Sequence, residues 1–283
     1  MLSRRTFLAH LSRTSALAVL PLPTQWLFRD HAADPDLIID AVEVLRLRGP
    51  YTSRQGVDRQ FQAQPTFVYP ELRPEPYEDS PSPTESTGRV TQHYLRIRTR
   101  GGLDGLYGYI DPECIAPILQ QLRSFLIGKN ALAVEKLWDQ LYRRNRHSRA
   151  GHYMMALSAV DNALWDLRGR YFDAPVYRLL GGPTRDAVEV YGSCLGYTVE
   201  EGKAGPRARQ LFDSGFRHQK WFLAYGPGSG NAGLRRNIGL VEELRDAVGF
   251  DGQLMFDAFM GWDLPYAMAW TSAVEPHRPY WIE

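Results

Sequence analysis

Cysteine is scarce in this chain. Its 283 residues contain two, Cys114 and Cys194, far apart in sequence. That excludes a disulfide scaffold and a Cys-rich zinc module. Long apolar runs are missing too; none approaches the roughly 20 residues of a membrane-crossing helix. Charge of one sign is not in excess, with 33 Lys+Arg against 32 Asp+Glu and a formal net charge of +1. A basic surface for nucleic acid and an acidic disordered block are therefore both unsupported. What is present is 44% hydrophobic residues, with 25 Gly and 19 Pro to make turns. At roughly 150 residues per domain this is one large domain or two ordinary ones, with chain enough to bury a core.

The first residues read as an address. Met1–Pro23 opens with Ser3-Arg4-Arg5-Thr6-Phe7-Leu8 and continues into the weakly apolar Leu17–Pro23. A basic start followed by a modest apolar segment has the shape of an export signal. This one resembles the twin-arginine signal that carries folded proteins across the bacterial inner membrane, which implies a periplasmic destination. The alternative is an ordinary basic amphipathic N-terminus. Residues 1–35 are set apart as leader.

The next part mixes strands and helices. Leu37–Leu47 and Val90–Thr99 alternate apolar and polar residues, and Leu106–Ile110 follows the Gly101-Gly102 turn, so a small antiparallel sheet is expected. Between them, residues 64–88 hold six prolines and read as a loop. Helical spacing then marks Pro112–Ile127, Ala133–Arg144 and Tyr153–Arg170. Together these predict an α+β domain over 36–186.

After it the rhythm becomes strand-helix alternation. Strands are expected at Val188–Gly192, Phe216–Phe222, Gln253–Asp257 and Tyr280–Glu283, with helices at Val199–Ser214, Ala232–Val248 and Leu264–Val274. Short links between them imply a parallel sheet. Four strands and three helices are half of an eight-fold barrel, so 187–283 is expected to be an incomplete (β/α) TIM-type barrel. The fold class is α/β. No Gly-rich phosphate loop follows the first of these strands, which removes the support for nucleotide binding.

Chemistry in such a barrel sits at the C-terminal strand ends. Asp257 ends Leu254-Met255-Phe256-Asp257, Glu283 ends Tyr280-Trp281-Ile282-Glu283, and Lys220 lies within Phe216–Phe222. Carboxylates on two consecutive strand ends would repel each other. A hard cation such as Mg²⁺ resolves that, because it takes carboxylate oxygens and keeps water or substrate as its other ligands. A nearby lysine adds positive charge where an enolate forms. Each residue also has a plainer reading: Asp257 as a helix N-cap, and Glu283 and Lys220 as solvated surface groups. His218 shares strand parity with Lys220 and is either a proton carrier or a packing residue. His147 and His152 read as surface residues. Cys194 reads as a small buried residue, and Trp138, Trp165 and Trp270 as helix packing.

Several segments together resemble the enolase superfamily, in its mandelate racemase/muconate lactonizing branch. They are Ala156 to Arg170 (ALSAVDNALWDLRGR), Ala174 to Gly182 (APVYRLLGG) with Arg185, Gly215-Phe216 with Lys220, Leu254–Asp257 and Trp281–Glu283. The resemblance covers about 37–283. It implies a capping domain over the barrel, Mg²⁺ held by three carboxylates, and abstraction of a proton α to a carboxylate to give a metal-stabilised enediolate. By its motifs Asp257 and Glu283 are metal ligands and Lys220 is the first lysine of a Lys-x-Lys pair. The second lysine is Phe222 here, which cannot take a proton. That disfavours two-base racemisation and resembles the acid-sugar dehydratases, with a small sugar acid as substrate. An epimerase or cycloisomerase of the same superfamily is the nearest alternative, and a non-catalytic remnant the more distant one. Residues 51–88 would lie over the barrel mouth and help select the substrate. Homo-oligomers are common in the family, so self-assembly is expected by analogy. The chain ends at Glu283, before a third metal ligand or a late-strand histidine base, so it is expected to be a fragment with little activity alone.

Overall fold

The computed structural model describes residues 34–53, 62–73, 86–147 and 149–283. The leader sequence lies outside the described residues. Among the described residues two compact units emerge, one formed by 34–48 with 91–183 and the other by 49–53, 62–73 and 86–90 with 184–283. Of the proline-rich segment, the described residues 62–73 group with the parallel strands, and the contacts responsible are given below.

The first unit holds most of a three-stranded sheet in the order β1 (Ile39–Ser53), β2 (Ser86–Thr99), β3 (Asp104–Ile110). β2 and β3 are antiparallel, with Ile97 opposite Gly105. Helices pack on the sheet: α1 (Val134–Arg144) and α2 (Gly151–Tyr171). The stretch expected as one helix over 112–127 is in fact four pieces, including a π-helical segment at Ile118–Leu122. It contains Pro117, which has no N–H to give to a regular helix. Ile39, Leu95 and Ile97 of the sheet are buried with Ile118, Leu122 and Leu126, and with the α2 stripe Leu157, Val160, Leu164 and Leu167. Gly105 lets β3 lie directly on α2, since a Cβ there would stand 2.0 Å from the Ala163 carbonyl oxygen. The Asp166 carboxylate on α2 accepts the Leu106 N–H at 2.8 Å. A short helix, α3 (Val176–Leu179), follows.

The second unit carries a four-stranded parallel sheet in sequence order: β4 (Tyr191–Ser193), β5 (His218–Phe222), β6 (Leu254–Asp257), β7 (Trp281–Ile282). Between consecutive strands run α4 (Ala204–Asp213), α5 (Gly230–Val248) and α6 (Leu264–Val274). Parallel neighbours need such crossovers. Strand β4 begins three residues later than its valines suggest, because Val188 and Val190 are exposed. Trp221 and Leu223 in and after β5, and Leu254 and Phe256 of β6, are buried among Leu240, Val241, Leu244 and Val248 of α5 and Trp270 and Val274 of α6. Alternation along a strand then sends Lys220, Phe222, Met255 and Asp257 to the opposite face.

At the N-terminal ends of the strands, Arg245 closes the sheet. Its guanidinium, on buried α5, donates to four carbonyls: His277 at 2.8 Å, Gly249 at 2.6 Å, Gly252 at 2.8 Å and Arg278 at 3.1 Å. Burial, and then the charge of Arg278, push its pKa below the usual arginine value. Four carbonyls share one charged donor, so Arg245→Met should cost about 2–4 kcal/mol, the range for charged hydrogen bonds plus unsatisfied acceptors. Urea unfolding of the two proteins measures this, and a loss below about 0.5 kcal/mol, typical of a surface substitution, would contradict it.

Candidate active site at the strand ends

The register brings the singled-out residues together. Lys220 stands beside Ser193 on β4 and Met255 on β6, Phe222 beside Asp257, and Met255 beside Trp281. Glu283 follows β7 directly, its N–H bonded to the Phe256 carbonyl and its carbonyl to the Ala258 N–H, each at 2.8 Å. Asp257 and Glu283 are thus at the same, C-terminal, end of adjacent strands.

Their side chains meet at Lys220. Its Nζ donates to Asp257 Oδ2 at 3.0 Å and to Glu283 Oε2 at 2.8 Å. Lys220 and Asp257 are buried; the Glu283 side chain is 58% exposed. The other Asp257 oxygen, Oδ1, accepts the Phe259 N–H at 2.8 Å. Burial works against the Lys220 ammonium, but hydrogen bonds to Glu283 and Asp257 and the charges of both outweigh it, so its pKa lies above the usual 10.5. The cluster holds two carboxylates and one ammonium, and the Trp281 ring lies 5.9 Å from the Lys220 nitrogen. Among the described residues no group of three or more His, Cys, Asp or Glu is placed to hold a metal. The donors that do converge are all carboxylate oxygens, the type a hard divalent cation takes.

The plainer readings separate cleanly. The N-cap of α6 is Asp263, which accepts the Tyr266 N–H at 2.9 Å, so Asp257 is not a helix cap. Lys220 is not a surface lysine. His218 is at the opposite end of β5, where its ring contacts Glu189 at 2.7 Å and accepts the Gln253 N–H at 3.2 Å. It is a strand-end fastening and takes no place beside Lys220. Cys194 is fully buried, and burial, opposed by Arg207, pushes its thiol up to about 12. Its thiol should therefore resist iodoacetamide at pH 8 and react only once the protein is unfolded, since the thiolate is the nucleophile; mass spectrometry of native and urea-treated protein distinguishes the two. His147 and His152 are exposed. Trp270 packs edge-on to Phe256 and Trp262, with centroids 5.5 and 5.3 Å away. Trp138 stacks on Tyr142, 5.0 Å between centroids.

Residues 51–88 were expected over the barrel mouth, and a described part of them, 62–73, lies as a collar against these strand ends; sequence reasoning missed only the contacts that seat it. The Ala63 N–H donates to the Leu223 carbonyl at 2.9 Å, which fastens residues 62–73 to the end of β5. Gly261, after β6, leaves no room for a Cβ, which would come within 2.7 Å of the Ala63 backbone; at Gly228 a Cβ would be 2.3 Å from the Phe67 carbonyl oxygen. These contacts explain why part of the proline-rich segment belongs to the second unit. It is two 3₁₀ turns, Pro65–Val68 and Pro70–Leu72, each opened by a proline. The rest of the segment expected over the barrel mouth, 54–61 and 74–85, lies outside the described residues. Asn237, Tyr225 and Trp262 also escaped notice. A polar Asn237 inside the buried α5 stripe Gly233, Leu240, Val241 and Leu244 was the available signal.

Comparison with known proteins agrees with this geometry. Residues 71–181 match the family described as mandelate racemase/muconate lactonizing enzyme, N-terminal domain, and residues 203–283 match the family described as enolase C-terminal domain-like. The chain belongs to the enolase superfamily, in its mandelate racemase/muconate lactonizing branch. The four parallel strands are accordingly those of an enolase-type (β/α) barrel, as the sequence predicted. An L-rhamnonate dehydratase of Saccharopolyspora erythraea is 37% identical over 165 residues, 58% of this chain and 40% of that protein. A Caldivirga maquilingensis protein with a provisional L-rhamnonate dehydratase name is 41% identical over 167 residues, 59% of this chain and 39% of that protein. The magnesium complex of D-glucarate dehydratase from Agrobacterium tumefaciens is 31% identical, with a TM-score of 0.67 over 87% of this chain and 60% of that one. This superfamily chain thus spans about two fifths of those curated relatives and three fifths of that solved structure.

The cluster's energetics are unequal by burial. Lys220→Met strands a buried Asp257 carboxylate without its cation and should cost about 3–5 kcal/mol. Glu283→Gln, at an exposed partner, should cost under about 1 kcal/mol. The sign of the pH dependence follows from a raised lysine pKa. The contribution of Lys220 is complete below 10.5, its unfolded value, and is lost only as pH rises through the higher folded value. Urea midpoints of wild type and both variants at pH 7 and pH 11 measure this, and equal losses for the two variants at pH 7 would contradict the asymmetry.

Proposed function

We propose that this protein is a Mg²⁺-dependent acid-sugar dehydratase, a hydro-lyase that removes the proton α to a carboxylate and expels a β-hydroxyl. The observation that carries the reading is the convergence of Asp257 Oδ2 and Glu283 Oε2 on Lys220 Nζ, at 3.0 and 2.8 Å, at one end of the parallel sheet. The names of the relatives support it: rhamnonate dehydratase in sequence and glucarate dehydratase in structure.

In this reading Asp257 and Glu283 hold the cation, and their all-oxygen chemistry fits it. A cation held there would supply positive charge to a substrate carboxylate as its α-proton leaves. Lys220, buried beside the Asp257 and Glu283 carboxylates, would place a positive group where it stabilises the same developing charge. Phe222, buried in register with Asp257, presents a phenyl ring where a second lysine would take a proton. The proton acceptor therefore stands off this strand, which weighs against racemisation by bases on both faces. The reaction balances as a loss of water. The α-carbon releases a proton, the β-hydroxyl leaves protonated, and the resulting enol tautomerises to a 2-keto-3-deoxy acid. The division into a capping domain and a barrel domain belongs to the same proposal, as does periplasmic export, for which the motif Ser3 to Leu8 is the support.

The test is direct. With Mg²⁺, the full-length protein given a panel of sugar acids that includes L-rhamnonate and D-glucarate should yield a 2-keto-3-deoxy acid, and EDTA or Asp257→Asn should abolish it. Exchange of the α-proton into solvent with no keto acid formed would indicate an epimerase instead. Neither exchange nor product across the panel would favour a non-catalytic role.

A further inference from the structure

We propose that Asn237 is a positioning residue that joins the loops after β5 and β6 into one unit and so sets the Asp257 carboxylate. The inference rests on the reading of Asp257 as a cation ligand, but its structural half stands apart from it.

Asn237 lies on α5, 2% exposed, in an otherwise apolar stripe. A buried carboxamide is costly unless all its bonds are made. Here they are made to the backbone of Tyr225, in the loop after β5. Asn237 Nδ2 donates to the Tyr225 carbonyl at 2.8 Å, and Oδ1 accepts the Tyr225 N–H at 3.4 Å. Nδ2 also lies 3.3 Å from the Tyr266 hydroxyl on α6. The side chain thus holds the loop as a neighbouring strand would.

The Tyr225 carbonyl accepts a second bond, from Trp262 Nε1 at 2.7 Å. Trp262 sits in the loop after β6, and its ring meets Tyr266 and Trp270 edge-on at 4.9 and 5.3 Å. The Trp270 indole in turn donates to the Asn237 carbonyl at 3.4 Å. One carbonyl therefore ties together the loop that follows Lys220 and the loop that follows Asp257. The two loops also touch directly, since a Cβ on Gly226 would stand 2.8 Å from the Gly261 carbonyl oxygen. The second loop begins with Phe259, whose N–H holds Asp257 Oδ1 at 2.8 Å. A shift of that loop moves a donor to the carboxylate, while Lys220 holds only the other oxygen.

The experiment compares Asn237→Asp, which puts a carboxylate against the Tyr225 carbonyl, with Trp262→Phe, which keeps the ring and removes the indole N–H. Val248→Ala, on the same helix away from the strand ends, is the control for stability loss alone. Amide hydrogen exchange and Mn²⁺ affinity by paramagnetic resonance are read on the whole chain. Asn237→Asp should lose protection at both 224–227 and 258–262, and Trp262→Phe at 258–262 only. Both should weaken Mn²⁺ binding about 10-fold or more, the usual effect of removing a group that orients a ligand. Val248→Ala should leave loop exchange and affinity unchanged. If both loop variants exchange as the control does, the inference is wrong whatever the metal does. Released loops with unaltered Mn²⁺ affinity would overturn the link to Asp257. A wild type that binds no Mn²⁺ would overturn that link and the ligand reading together, and leave the exchange result to judge the loops.

Discussion

Two carboxylates at neighbouring ends of parallel strands repel each other, and the arrangement depends on what neutralises them. Here that is the Lys220 ammonium, which reaches Asp257 and Glu283 together. The sheet makes the meeting unavoidable. Parallel register sets Lys220 one step before Phe222, and Phe222 beside Asp257, so a lysine on the same face extends toward both acids. The partners differ in burial. Asp257 has left water and depends on its bonds from Lys220 and Phe259, whereas Glu283 remains largely hydrated. Phe222 contributes by excluding water next to Asp257, which strengthens each electrostatic contact there.

The two ends of this sheet are closed by different chemistry. At the N-terminal ends one arginine, Arg245, gathers four carbonyls, and His218 is fastened between Glu189 and the Gln253 N–H. Both of these side chains are spent on backbone or on a neighbour. At the C-terminal ends neutral groups, Asn237 and two indoles, hold the loops, and the charged residues point at one another. That division suits a barrel, whose N-terminal face serves stability and whose C-terminal face serves chemistry.

Much of the fold was legible because its signals are periodic. The α2 stripe Leu157, Val160, Leu164 and Leu167 is buried as its spacing required, and α6 has the bounds that its sequence suggested. The convergence of Lys220, Asp257 and Glu283 was legible for another reason: strand ends can be read in sequence, and the strand ends of a parallel sheet all lie on one side. The failures have physical causes. Val188 and Val190 looked like a strand and are exposed, because β-branched residues report suitability for a sheet and not pairing itself. Asp257 alone was indistinguishable from a helix cap, and only coordinates assigned that task to Asp263. Residues 51–88 were expected over the barrel mouth, but the contacts that seat 62–73 were hidden because they depend on the lack of a side chain at Gly228 and Gly261, and a glycine in sequence does not say what approaches it.

The collar also bears on why a phenylalanine is tolerated beside Asp257. Phe222 is fully buried, and the residue that follows it, Leu223, gives its N–H to the Asp257 carbonyl and its own carbonyl to Ala63. The end of β5 is thereby held on both sides, by β6 and by the segment 62–73. A charged side chain at 222 would need a solvated path or a counter-ion next to an acid that Lys220 already satisfies. An apolar one fills the position at no such cost and leaves a single fixed cation in the cluster. A site built this way has one positive side chain, on one strand, facing two carboxylates. In the reaction proposed above, that asymmetry would favour stabilising charge on one face of a bound acid over exchanging protons across both.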